Sequence, residues 1–312
     1  MTEAINEAMA SSATASLEDL FLTIFCLVDD LYNERVPETV RYRSQHHRIT
    51  MSDAEVITLS IMQEALSMDS EESFLRFVRR NYLHLFPRLL SRDRYHRRRS
   101  ALTEVTLMLF RHLAAFFKHR ARHLIVDSAP VETAAFVRSQ SAAASMPEAA
   151  YGYIPSKKRH FFGFRLHSLV SDEGAVIDFI LSPANVDERT VAQVLLGPYR
   201  GRYVLGDNGY SGTPMQITAT RNGYELWVSP RQRQVPKTRA EAQWRRWLRG
   251  KRDLVETVFS MLADQFKLET TRALSLMGLK ARMAAKLLAF NLSLYLNHLL
   301  GRNLLSVKSL YL

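Results

Sequence analysis

Hydrophobic periodicity changes character once along this chain of 312 residues, near residue 120, and that change limits the fold more than any other feature. Before it the apolar positions recur at helical spacing. Ser16 opens such a segment to about Tyr32, and Ser52-Asp-Ala-Glu55 reads as a capping box with a helix running to about Leu66. Phe74, Phe77 and Val78 continue the pattern, Leu83, Phe86, Leu89 and Leu90 follow, and Leu102 to Phe117 is apolar enough for a core helix. After residue 120 short apolar runs take over. His123 to Val126, Phe161 to Val170 and Ala175 to Leu181 read as strands, the last two joined by the turn Ser171-Asp-Glu-Gly174. Asn185 and Asp187 start a helix to about Leu196; Arg202 to Leu205 and Tyr224 to Val228 are strands either side of a helix from Gly212 to Asn222. Three antiparallel strands followed by two strands on helical crossovers predict an α/β fold: a mixed sheet flanked by helices, behind an all-helical N-terminal part and before C-terminal helices. Ser139 to Ala150 reads as a linker, and residues 231–252 as a polar approach to the last helices.

Charge narrows the function. The net charge is +11, and two segments hold more than all of it: residues 88–122 and residues 231–252 each carry a local +8, leaving the rest near −5. A concentrated cationic excess of this kind marks a polyanion partner, and nucleic acid leads. The ordinary alternative is a solvated basic face. The single Cys26 excludes an intramolecular disulfide framework and a cysteine zinc site, fits a reducing compartment, and is expected to pack as a small hydrophobe. The N-terminus has no basic signal-peptide region, and the apolar stretch Leu279 to Leu300 is broken by Lys280, Arg282 and Lys286, so it reads as a buried helix rather than a membrane span. A cytoplasmic, nucleoid-associated protein without membrane partner is expected.

Two strands end in aspartate. Tyr203-Val-Leu-Gly-Asp207-Asn-Gly-Tyr210 delivers one carboxylate into a glycine-rich turn, and His123-Leu-Ile-Val-Asp127-Ser-Ala-Pro130 delivers another. Hard divalent cations take oxygen ligands, so the pair points to metal chemistry. A third acid is sought on the helix after the basic segment. There Val255, Val258, Phe259 and Leu262 form a core stripe, and Arg252, Glu256, Ser260, Ala263 and Lys267 lie on the stripe beside it, which favours Glu256 over Asp253 and Asp264. Taken singly, each residue has a plainer reading: a turn former or helix cap for Asp127 and Asp207, half of a surface ion pair with Arg252 for Glu256.

The segments "IVDSAP", "YGYIPSKKRHFFGFRLHSLV", "SPANVDER", "VLGDNGYSG" and "RDLVETVFSMLADQFKLETTRALSLMG", kept in this order over roughly residues 52–300, resemble the DDE transposases of insertion sequences, most closely the insertion sequence 982 group. The resemblance implies an RNase H-like catalytic domain whose acidic triad is Asp127, Asp207 and Glu256. It also implies two Mg²⁺ ions, replaceable by Mn²⁺, and double-stranded DNA partners, both terminal inverted repeats and target, with a homodimer in the synaptic complex. Seven residues after the glutamate, where related transposases often carry Lys or Arg, stands Ala263; Lys267, one turn later, is the candidate for that DNA contact. Two metal ions can activate water and stabilise the leaving 3′-oxygen, after which the freed 3′-hydroxyl can itself attack target DNA.

Other cations are assigned accordingly. Lys157, Lys158 and Arg159 would hold phosphates flanking the cut, together with Arg252, while Phe161 or Phe162 stacks on a base and the other enters the core. Arg92, Arg94, Arg97, Arg98 and Arg99 would dock a helical domain on terminal repeats. His167, two residues from Arg165 on one strand, reads as a satisfied core histidine rather than an active-site group. The expected division is a disordered 1–15, a helical DNA-binding domain 16–120, a catalytic domain 121–275, and a C-terminal helical segment 276–312 packing on the core. The competing functions are a structure-selective nuclease or resolvase on the same fold and a catalytically inactive DNA-binding derivative. A tyrosine recombinase is disfavoured, since Tyr295 and Tyr311 lack an upstream Arg/His-x-x-Arg set.

Overall fold

The computed structural model describes residues 16–42, 49–134, 145–155, 157–228, 236 and 238–311. The expected disorder of 1–15, the first half of the 139–150 linker and the start of the 231–252 segment lie outside the described residues; the second half of that linker is not an open loop, since Met146 is buried and Ala150 opens a strand. The chain divides into two units, one made of 1–113, 264–268 and 272–312, the other of 114–263 and 269–271. Residues 276–312 therefore join the helical unit, a correction to the expected domain division.

The helical unit is built from α1 (Leu17–Arg35), the short α2 (Glu38–Arg41), α3 (Asp53–Ala65), α4 (Glu71–Asn81), α5 (Arg92–Ala101), the first part of α6 (Thr103–Arg120) and, far along the chain, α10. Ser16 and Ser52 cap α1 and α3 with complete capping boxes, the second in the residues that predicted it. Cys26 does not pack in: it is exposed on the outer side of α1 with Leu22, because the apolar stripe that faces α3 runs through Phe21, Ile24 and Val28. Nearly all of α3 is buried. A helix buried all round must satisfy its own polar side chains, and α3 does so with charge. Glu64, 1% exposed, meets Lys286 at 2.6 Å, Arg282 at 3.1 Å and the Arg99 guanidinium. Burial alone would raise the Glu64 carboxyl, but those three cations overcome it and hold the group below the ordinary carboxylate range. Two of the charges that argued against a membrane span thus serve this one carboxylate.

The second unit holds the sheet. Its strands are β1 (Leu124–Ala134), β2 (Ala150–Ile154), β3 (Arg159–Ser171), β4 (Val176–Pro183), β5 (Tyr203–Gly206) and β6 (Glu225–Val228). They run in the order β2-β3-β1-β5-β6, with β4 also on β3. The first four pair antiparallel, the long β3 sharing its outer edge between β2 and β4, while β5 and β6 lie parallel to β1 through the crossovers α7 (Glu188–Leu196) and α8 (Thr213–Asn222). An antiparallel meander followed by two parallel strands on helical crossovers is the RNase H-like arrangement. Strand β2 had no counterpart in the sequence reading: its residues alternate only between half-buried and exposed until Ile154, and small residues and a single β-branched one give it little strand propensity.

The basic segment also differs from expectation. Helix α9 spans Arg239–Asp264, so the stretch read as an irregular approach is already helical from residue 239. Polar and cationic positions surround most of its first turns, where Leu248 is the one buried residue, and such a pattern carries no clear helical period. The last long helix, α10 (Leu276–Leu299), is buried along nearly its whole length, capped by Ser275. Among the described residues no single helix is long and apolar enough to cross a membrane.

Candidate active site

Strands β1 and β5 bring the first two acids together. The parallel register pairs Leu124 with Val204 and Ile125 with Leu205, and continuing it two residues puts Asp127 beside Asp207 on strands about 4.8 Å apart. Each aspartate is fixed locally. Asp127 accepts the Ser128 amide at 2.8 Å, and Asp207 accepts the Gly209 amide at 2.7 Å, closing a short 3₁₀ turn over residues 208–210. A Cβ at position 209 would stand 2.8 Å from the Asp207 Oδ1, so a larger residue there would push that carboxylate out of its place. Tyr210, fully buried, closes the floor against Gly206.

The electrostatics single out Asp127. Burial raises its carboxyl to about 7; the Ser128 amide opposes that rise, Asp207 and Glu188 add to it, and Arg252 works against it. The Tyr210 hydroxyl is pushed well above its ordinary value, first by burial and then by Asp127, Glu188 and Asp207. Glu188 is the residue the sequence reading missed. It opens α7 directly after the Asp187 cap, and the start signals at Asn185 and Asp187 absorbed its chemistry into a capping role. Arg165 on β3 holds it at 2.9 Å and reaches the Ser128 hydroxyl at 3.3 Å and the Tyr153 carbonyl at 3.1 Å.

The remaining predicted residues are distributed as follows. Glu256 sits on α9 with a side chain 65% exposed, 3.7 Å from Arg252, the cation whose charge reaches Asp127. Among the described residues no group of three or more His, Cys, Asp or Glu side chains stands ready to hold a metal. Lys157 pairs with Glu269 at 2.5 Å, Arg159 grips Glu132 with both guanidinium nitrogens, and Lys158 is exposed at a positive φ of 47°. Lys267, also at positive φ, is half-buried and belongs to the helical unit. Arg92, Arg94 and Arg97 are exposed on α5, and Arg98 binds the buried Asp53 at 2.5 Å. Arg99 corrects its DNA-binding assignment: it is 4% exposed and committed to Glu64, Glu71 and Gln63, because α5 turns that residue toward α3. Both Phe161 and Phe162 are buried, so neither offers a face to a base. His167 is a core histidine, its Nε2 2.9 Å from the Ser182 hydroxyl, held down to about 4 by burial and then by Arg165.

Residues 118–292, more than half of the chain, match the family of transposase DDE domains. The chain belongs to that family. Asp127, Asp207, Glu188 and Glu256 all fall inside the matched transposase domain. No curated protein sequence matches significantly. Of solved structures, the Mos1 transposase paired-end complex with left transposon end aligns at 14% identity and a TM-score of 0.23, over 71% of this chain and 80% of that one. The pre-cleavage Mos1 transpososome aligns at 11% identity and a TM-score of 0.22, over 81% and 79%. The fold of this transposase domain is carried by its own strand order.

Proposed function

We propose that this transposase cleaves the ends of an insertion sequence of the 982 type and joins the freed 3′-hydroxyl to target DNA, with Asp127, Asp207 and Glu256 as its acidic triad. The observation that carries the reading is that the parallel register of β1 and β5 sets Asp127, which lies within β1 rather than at its end as the sequence suggested, beside Asp207 just past the end of β5, in a domain of the DDE family. The donor set fits hard divalent cations: carboxylate oxygens side by side in a partly buried cleft, with Asp127 raised to about 7 by burial and by its acidic neighbours, a cost that a bound cation relieves. Asp127 and Asp207 would hold Mg²⁺ or Mn²⁺, with Glu256 completing the set from α9. When bound, such ions supply water activation and stabilisation of the leaving oxygen.

The protein's own groups do the rest. The Gly209 amide fixes one oxygen of Asp207. Arg165 ties Glu188 and Ser128 beside the acids, which keeps that wall of the cleft in place. Arg252, whose charge reaches Asp127, and the exposed Lys158 would give phosphates cationic partners. Double-stranded DNA, as terminal repeats and as target, is the partner, met by the exposed arginines 92, 94 and 97, and two copies act in the synaptic complex.

The test is strand cleavage and joining on DNA carrying the sequences that flank the gene, with Mg²⁺. Asp207→Asn should abolish nicking and leave DNA retention in a gel-shift assay unchanged. Full cleavage by that variant removes the assignment, and cutting of branched DNA without end joining moves the reading to a structure-selective nuclease.

A further inference from the structure

All three tryptophans of the chain meet in one place, two of them one helical turn apart and the third on a neighbouring strand. Trp244 and Trp247 on α9 stack at 5.0 Å and 16°, Trp227 of the edge strand β6 meets Trp244 edge-on at 5.0 Å and Trp247 at 6.3 Å, and Tyr203 of β5 lies 4.6 Å from Trp227. A cluster of this size in a core would be closed to solvent. Here Trp244 is 39% exposed, Trp247 38% and Tyr203 42%, while Leu248 makes the buried contact for that part of the helix.

The surroundings are cationic. Lys251 lies 5.9 Å from the Trp247 ring, Arg246 and Arg249 are exposed beside it, and Glu241, the one acid in residues 231–252, is engaged by Arg245. An aromatic surface that served a protein partner would not need this charge. Partly exposed stacked rings amid cations match the chemistry of a nucleic-acid strand, phosphates on the cations and bases on the rings.

The position separates this surface from the acids. Tyr203 begins β5 and Asp207 follows its end, four residues or roughly 13 Å away along the strand. Along α9, Trp247 and Glu256 are nine residues apart, roughly 13 Å of helix, with Lys251 and Arg252 between them. A strand leaving the acids along α9 would pass cations and then reach the rings.

We propose that Trp227, Trp244, Trp247 and Tyr203 form a stacking platform for unpaired nucleotides of a DNA strand, apart from the carboxylate pair and on the same helix as Arg252. Paired, stacked bases hide their π-faces, so the platform prefers a melted or single-stranded segment over intact duplex. It rests on the reading of the protein as a DNA transposase and adds which form of DNA this surface takes.

Because the chain has no other tryptophan, its intrinsic tryptophan fluorescence reports on this surface alone. Full-length protein is titrated with oligothymidine and with duplex of equal length, each also labelled for anisotropy. The expected result is saturable quenching by oligothymidine and little by duplex, with Trp244→Ala weakening oligothymidine binding about tenfold and leaving duplex binding unchanged. Oligothymidine binding without quenching overturns the platform, as does equal quenching by duplex or quenching that follows protein concentration alone, which marks a second copy as the occupant. Duplex binding that survives any of these leaves the transposase reading intact, and failure to bind either DNA removes both.

Discussion

At the scale of single residues, the acidic pair holds stability in reserve. Asp127 is raised to about 7, so in the metal-free protein it is neutral when both states are protonated, and charging it in its buried position costs stability as pH rises through the folded value. Asp127→Asn removes that cost. The variant should match wild type near pH 4 and exceed it at pH 8 in chelator by on the order of 2 kcal/mol, read from denaturant midpoints. Equal stability at both pH values would show that burial does not strain the carboxyl. His167 acts with the opposite slope. Its folded value, about 4, lies below the unfolded one, so the unfolded chain takes up the extra proton between about pH 6.5 and 4 and stability falls with acidification. In wild type the two slopes offset each other over that window. In Asp127→Asn the histidine slope stands alone, and the acid limb of its stability profile should steepen.

Among the elements, β3 decides how the sheet is assembled, since one strand serves β1 on one side and both β2 and β4 on the other. That sharing needs a close approach of backbones at Gly163, where the β1 register shifts between Glu132 and Ala134. A Cβ at Gly163 would lie 2.2 Å from the Val131 carbonyl oxygen, a contact that only movement of the β1 or β3 backbone can relieve. Gly163→Ala should cost about 3 kcal/mol, measured as a lowered midpoint of chemical denaturation. An unchanged midpoint would mean that the two strands part without loss. The same element explains two sequence errors. Strand propensity in Phe161 and Phe162 is plain, but which faces are covered depends on β2: Tyr151 meets Phe162, and Ile154 with Ala184 meets Phe161. Nothing in the local alternation announces a strand ten residues upstream that closes over both.

For the whole molecule, the decisive contacts join residues far apart in the chain. Within the helical unit, Glu64 of α3 gathers Arg99 of α5 and Arg282 and Lys286 of α10, more than 200 residues away. Removing the carboxylate takes from three buried cations the one acid they share, leaving Arg99 to Glu71 and Gln63, Arg282 to Asp69, and Lys286 with the Phe266 carbonyl. Glu64→Gln should cost roughly 3–5 kcal/mol and release the helical unit at lower denaturant than the sheet-containing unit. A loss below 1 kcal/mol, the range of an exposed ion pair, would show that solvent reaches the cluster. The sign with pH follows: a carboxyl held below its ordinary value lends stability above the unfolded carboxylate range and loses it as pH falls through the folded value.

The sequence by itself determined what local physics encodes: the helical first part, the sheet's strands other than β2 with their crossovers, the capping box at Ser52, and the delivery of Asp207 by a strand end; that β1 runs on past Asp127 to Ala134 it did not show. Period, cap chemistry and turn residues act within a few positions, so they can be read one segment at a time. Only the tertiary structure decided which charges are surface and which are core. Arg99 and Arg97 stand two residues apart in one cationic run, yet one is buried on Glu64 and the other exposed, because the side on which α3 lies settles burial. Glu188 looked like part of a helix start until Arg165 and Ser128 met beside it. Helical spacing puts Trp244 and Trp247 on one side of α9, but only the packing of α9 against β6 adds Trp227 and makes one aromatic surface.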